Sequence, residues 1–361
     1  MQLSRAAKQV LLALAAGILL VSCTSLNYYA QAAQGQLSLL NDARPIEEWL
    51  SDEHTDAKLK MRLATARQIR TFAVQELSLP DNKSYRNYAA LKRPFVLWNV
   101  VAAPELSLQP VQWCFPVAGC VSYKGYYSKD EAMAFARSLR AEGMDVQVGG
   151  VPAYSTLGWF NDPLLSTFIN YPDAELARLL FHELSHQVVY VQGDSQFNES
   201  FASTVEEAGV ERWLAGFGNP AMHENFLRFT ARKQQFLALL LACRKDLEQV
   251  YASGVSDAEK RAAKARRFKQ LQDDYLALKA SWGGYAGYDR FFAEPLSNAH
   301  LAAVATYNDF IPAFRALLAR EKTFPRFYAA ARALAELDKD ERHRRLKELA
   351  AAAPVVAGTH Q

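Results

Sequence analysis

The chain has little of what would mark it as a nucleic-acid binder, a membrane bundle or a disulfide scaffold. Its 361 residues carry 41 Lys and Arg against 38 Asp and Glu, a formal net charge of only +3, and Arg5 and Lys8 supply two of those charges. No stripe of basic residues interleaved with aromatics is present, so no nucleic acid is expected as a partner. There are no internal repeats. The longest N-terminal apolar run, Val10 to Val21, is too short to span a bilayer comfortably. Cysteine is scarce at four residues and histidine at seven. What remains is ordinary globular composition, 50% hydrophobic and 22% charged, with ample apolar material for a core.

Arg5 and Lys8 form a positive segment ahead of the apolar run, which ends in Leu20-Val21-Ser22-Cys23. This ending resembles the lipobox of bacterial lipoproteins. The resemblance implies a signal peptide over residues 1–22, lipidation at Cys23 and a short tether over 23–35. An ordinary secretory signal and an uncleaved anchor are the alternatives, and all three readings place the bulk of the chain outside the cytoplasm. Thr24 stands where an aspartate usually retains lipoproteins in the inner membrane. The expected location is therefore the bacterial cell envelope, lipid-anchored in the outer membrane and facing the periplasm. Cys114 and Cys120 flank a Pro- and Gly-containing turn, and a disulfide there suits an oxidising compartment. Cys243, in an apolar stretch, reads as a buried free thiol.

The pattern from about Leu37 to Leu77 is helical with a break near Pro45, and Pro80, Asp81 and Asn82 mark a loop. Phe95 to Ala103, Leu106 to Phe115 and Val121 to Tyr127 read as strands. A helix over about 129–142 and a strand over 146–154 follow. After Asp162-Pro163 nearly everything is helical. Asp173 is the expected cap of one helix, Gly193 its terminator, and a second helix runs from about Ser195 to Gly216. Residues 221–282 read as two long antiparallel helices hinged at Ser253-Gly254, with further helices near Ser297 and Phe324. The fold class is α+β, mostly helical, with a small sheet ahead of the helix that carries His182. The expected organisation is one domain over 36–352, its sheet-containing part at about 95–160 and its helical part at about 162–352, followed by a flexible tail over 353–361.

The chemistry is concentrated in His182-Glu183-Leu184-Ser185-His186. On a helix, residues four apart share a face, so both imidazoles can offer a ring nitrogen to one metal ion. Glu183 sits between them in angle, placed to reach a water activated there but not to join the same ligand shell. Two ligands and one general base from a single turn is the zincin arrangement, and the implied cofactor is one Zn²⁺. Catalytic zinc needs a third protein ligand and an open position. The metzincin pattern would need glycine and histidine where Val189 and Gln192 stand.

Asn198-Glu199-Ser200-Phe201-Ala202 resembles the third-ligand helix of the aminopeptidase N-type gluzincins, with Glu199 at the ligand position. A helix ending near Gln192 climbs about 9 Å past His186, and a returning helix from Ser195 brings Glu199 back roughly 6 Å, near the level of the histidines. The twelve residues between His186 and Glu199 are fewer than in most gluzincins, which argues against direct membership in the aminopeptidase N family. Glu206, seven residues on and on the same face, could hold a histidine ring in the right tautomer or be a solvated carboxylate.

Over nearly its full length the chain resembles a bacterial family of predicted aminopeptidases, typically exported lipoproteins. The residues that carry this are the lipobox, Tyr28-Tyr29 with the segment from Gly35 to Trp49, Trp113 to Cys120, Ala153 to Phe160, the His182–His186 helix and Asn298 to Leu317. The resemblance implies a zincin-like fold and a zinc-dependent peptidase, with Glu183 taking a proton from water and passing it to the leaving amine. For the developing oxyanion the first candidate donor is Tyr307, then His300, then Tyr285 and Tyr288. Ala153 to Gly158, with Tyr154 and Ser155, is a candidate edge strand for binding the substrate backbone, or a plain core-facing strand. No Gly-Ala-Met-Glu-Asn segment is present to hold a substrate amine. An aminopeptidase, an envelope endopeptidase or processing protease, and a catalytically silent zinc-binding lipoprotein that holds a protein partner thus remain distinct readings.

Overall fold

The structure is a computed structural model describing residues 28–115, 119–304 and 310–352. The expected signal segment, Cys23, Tyr307 and the tail over 353–361 lie outside the described residues. Residues 28–41 form a helix, α1, so the segment expected to be a tether as far as residue 35 is helical from residue 28. The chain then forms a two-residue strand, β1 (Arg44–Pro45), a short helix, α2 (Ile46–Ser51), and α3 (Ala57–Gln75). The expected break at Pro45 is thus joined by a second at Asp56, whose side chain accepts from the Lys58 and Leu59 N–H groups and starts α3 afresh. Leu63, Ala66, Ile69 and Ala73 recur at helical spacing and are fully buried.

Strands β2 (Asn87–Ala89), β3 (Leu97–Pro104), β4 (Trp113–Phe115), β5 (Gly119–Val121) and β6 (Lys124–Tyr126) follow. Next come α4 (Lys129–Ala141), β7 (Met144–Val151) and β8 (Leu164–Leu165). The sheet that matters for the site has the order β6-β3-β7 and is antiparallel, with Leu97 opposite Val151, Asn99 opposite Gly149 and Val101 opposite Gln147. Side chains alternate across a sheet. Trp98, Val100, Ala102 and Val146 therefore pack on Ala132, Ala136 and Leu139 of α4. The opposite face, with Leu97, Asn99, Val101, Gln147, Gly149 and Val151, looks into a cavity. Strand β7 stops at Val151 because Pro152 has no N–H to continue a ladder. Residues 153–156 are consequently not the expected strand but irregular backbone, and a turn follows with Leu157 at φ 57° and Gly158 at φ 83°. The expected strand over 106–115 shrinks to β4, which among the described residues pairs with β5 alone, in a hairpin. Cys114 and Cys120 face each other across it, joined in a disulfide.

The rest is helical. It comprises α5 (Asp173–Ser185), α6 (Ser195–Phe217), α7 (Pro220–Ala252), α8 (Asp257–Ser281), α9 (Asn298–Val304), α10 (Ile311–Glu321), α11 (Phe324–Ala335) and α12 (Lys339–Ala352). Helices α5 and α6 lie in the main core with Phe181, Phe197 and Phe201, and Phe314 and Phe327 pack on the last two. The α7–α8 hairpin has its own core of Phe236, Leu240, Leu247, Phe268 and Leu271, with free Cys243 buried in it. Among the described residues no helix is long and apolar enough to cross a membrane.

Candidate metal site between two cavities

Helix α5 ends at Ser185, with His186 as its C-cap, so it does not run on to Gly193 as the pattern suggested. The cause lies across the turn. The Asn198 amide donates to the Val191 carbonyl and its oxygen accepts from the Val191 N–H, both at 2.8 Å, which holds the chain out of the helix. Asp194 then caps α6 by accepting from the Phe197 N–H at 3.2 Å, and is itself gripped by buried Arg342 at 2.9 Å. Gly209 lets α6 approach closely, since a Cβ there would stand 2.8 Å from both the Leu77 and the Phe181 side chains. Glu199 is thereby carried to the histidines.

His182 Nε2 lies 3.2 Å from His186 Nε2 and 3.2 Å from Glu199 Oε2, and His186 Nε2 lies 3.8 Å from Glu199 Oε1. Four ligands in a tetrahedron at about 2.0–2.1 Å from zinc stand roughly 3.3 Å apart, so these spacings fit such an ion. The donor set fits too. The Nδ1–H of His182 donates to Glu206 Oε2 at 2.8 Å, which fixes the tautomer that points Nε2 at the other two groups. Glu206 is 2% exposed and also meets Arg178 Nη1 at 3.2 Å and Lys233 Nζ at 3.7 Å.

The electrostatics follow from burial and these contacts. Burial opposes charge on His182, yet hydrogen bonds to Glu199 and Glu206 raise it to about 10. His186 is pushed down to about 4, chiefly by burial. Burial raises Glu206, but Arg178 and His182 outweigh it and bring its carboxyl down to about 2. Glu199 is likewise lowered by the two histidines against its burial. Glu183 goes the other way, raised to about 7, first by burial and then by the Glu199 charge against the relief that His182 gives.

Two cavities meet at this triad, and His182, Glu183 and Glu199 line both. The first, about 500 Å³, lies between the sheet face and the start of α6, and Tyr154 and Ser155 also line it. The Tyr154 hydroxyl is engaged by the Tyr127 hydroxyl at 2.6 Å and by Gln36 of α1. The second is bounded by α7 and contains His300 and Tyr288, while Tyr285 stacks with Arg232. Sequence reasoning missed Tyr123, Tyr190 and Arg178. Tyr123 and Tyr190 line the first cavity; Tyr123 keeps 38% of its surface exposed, yet desolvation within the cavity followed by the Glu199 charge raises both. Nothing in the motifs singles them out. Arg178 did carry a signal, since 178, 182 and 186 form one stripe at helical spacing.

The described residues therefore define a mixed α+β protein, mostly helical with small sheets, in which a His-His-Glu triad could bind a metal ion. The chain belongs to the putative aminopeptidase family: the family model with the description "Putative aminopeptidase" matches residues 27–346. That membership suggests a peptidase. No curated protein and no solved structure matches the chain.

Proposed function

We propose that the protein is a zinc-dependent peptidase, with His182, His186 and Glu199 holding one Zn²⁺ and Glu183 as general base. The observation that carries this is the convergence of three ligand atoms within 4.8 Å of one another, beside the half-buried Glu183 carboxylate that opens on both cavities. When bound, zinc supplies a Lewis acid that polarises a carbonyl and lowers the pKa of water. Glu183, with its pKa raised to about 7, is poised to take a proton from water and return it to the leaving amine. Glu206 orients His182, and Arg178 keeps Glu206 ionised. The oxyanion donor proposed from the sequence is Tyr307; among the described residues, Tyr123 and Tyr190 bring hydroxyl-bearing side chains to the cavity of the triad.

Within this reading an aminopeptidase is favoured by the family description. An envelope endopeptidase is the alternative, supported by the room that the first cavity leaves for a substrate backbone along β3 and β7. The protein is further proposed to be exported and lipid-anchored through Cys23, facing the periplasm from the outer membrane. The lipobox resemblance and the Cys114–Cys120 disulfide support that location. Metal analysis of the wild type beside Glu183→Gln, with hydrolysis of free and N-blocked peptides, tests the whole. The expected result is about one zinc in each protein and cleavage by the wild type alone. No zinc, or equal cleavage by both, refutes the mechanism. Loss of cleavage on blocking the N-terminus selects the aminopeptidase.

A further inference from the structure

The second cavity differs in chemistry from the first. It has a volume of about 540 Å³ and runs from the triad into the gap between α5 and α6 on one side and α7 on the other. Phe236, Leu237 and Leu240 line one wall from successive turns of α7, and Leu179, Phe291 and Val304 line the others. Phe236 and Leu240 belong to the core of the α7–α8 hairpin, which fixes that wall. Leu237 is half-buried and outside that core, so it faces the cavity without supporting the hairpin.

Several of the polar groups that line it are already paired with one another, Arg178 with Glu206 among them. Lys233 pairs with Glu206. His300 accepts the Ser297 N–H on Nδ1 at 3.1 Å, so its ring is neutral and its proton sits on Nε2. An apolar chamber opening at a catalytic carboxylate suits a side chain, whereas the first cavity, floored by β3 and β7 with Gly149 and Gly150, suits a backbone.

We propose that the α7 chamber is the specificity pocket, taking a bulky apolar side chain, phenylalanine- or leucine-like, of the residue flanking the hydrolysed bond. Leu237 sets its depth. This rests on the metallopeptidase reading above, and the test separates the two. Full-length protein of measured metal content is titrated calorimetrically with glycine, leucine and phenylalanine hydroxamates, which share one metal-binding group and differ only in side chain. The larger two should bind about tenfold to a hundredfold more tightly than the glycine compound, from burial of the side chain. Leu237→Trp should abolish that preference and leave glycine hydroxamate binding unchanged. Leu237→Phe, a smaller change at the same half-exposed position, should reduce it in part and serves if the tryptophan variant does not fold. Equal affinity for all three compounds, or a preference that survives both variants, overturns the pocket assignment alone. Absence of any hydroxamate binding overturns the metal reading and the pocket with it.

Discussion

The Nδ1–H of His182 donates at 2.8 Å to Glu206 Oε2, which belongs to a carboxylate seven residues beyond Glu199 on the same helix. One helix thus places both a ligand candidate and the group that orients another. Replacing Glu206 by Ala would leave the tautomer of His182 unfixed and Arg178 with Glu175 as its remaining buried counterion. Zinc affinity should fall about 10- to 100-fold. Glu206→Gln, which keeps an acceptor, should lose less. Competition with a chromogenic chelator measures both, and an affinity unchanged in Glu206→Ala would show that the contact orients nothing.

Metal uptake should expel a proton. Burial disfavours charge on His182, but its hydrogen bonds to Glu199 and Glu206 keep the ring protonated up to about pH 10 in the metal-free site. A metal needs Nε2 bare. Because the metal-free pKa lies above neutrality, roughly one proton should leave per ion bound near pH 8, and affinity should rise about tenfold per unit between about pH 6 and 9. Calorimetry in buffers of different ionisation enthalpy reads the proton count. A count near zero would mean that His182 is already neutral.

Gly209 is a packing requirement of the site. Its α-carbon faces Leu77 and Phe181, and Phe181 precedes His182. Gly209→Val would push α6 off α5, and a destabilisation of about 1–3 kcal/mol is expected from such overpacking. Chemical denaturation should show this, with weakened metal binding alongside. A variant as stable as the wild type would mean that the helices separate at no cost.

Part of this was legible beforehand, for identifiable reasons. The i, i+4 pair of histidines needs only local helix geometry, and the hinge between α7 and α8 needs only Ser253-Gly254 flanked by helical spacing. The end of α5 was not legible, because Val188, Val189 and Val191 continue its apolar pattern. It is Asn198, from the next helix, that takes the backbone groups of Val191. Ala153 to Gly158 looked like a strand by composition, but Pro152 breaks the ladder before it. The two cavities depend on tertiary placement of Tyr123 and of the α7 wall, which no spacing encodes.

Tyr123→Phe tests the hydroxyl nearest in kind to an oxyanion donor. If that hydroxyl serves the developing charge, kcat should drop about a hundredfold, with KM little changed. Metal content should stay at the wild-type level. A change in KM alone would make Tyr123 a substrate contact instead.

The disulfide should act through the same residue. It closes the hairpin two residues before Ser122-Tyr123, and Gly119 beside it, at φ 74°, packs against the turn before α6. A Cβ on Gly119 would meet Gln192 Cγ at 2.6 Å and the Gly193 nitrogen at 2.7 Å. The bond therefore fixes a hairpin that presents Tyr123 on one side and braces the α5–α6 connection on the other. Cys114→Ser with Cys120→Ser should lower kcat/KM about tenfold without loss of metal, by loosening a positioned group. If the effect passes through Tyr123, removing the disulfide in Tyr123→Phe should cost far less than in the wild type, because residues acting as one unit are not additive. Strict additivity of the two losses would show that the disulfide serves the α5–α6 connection and not the tyrosine.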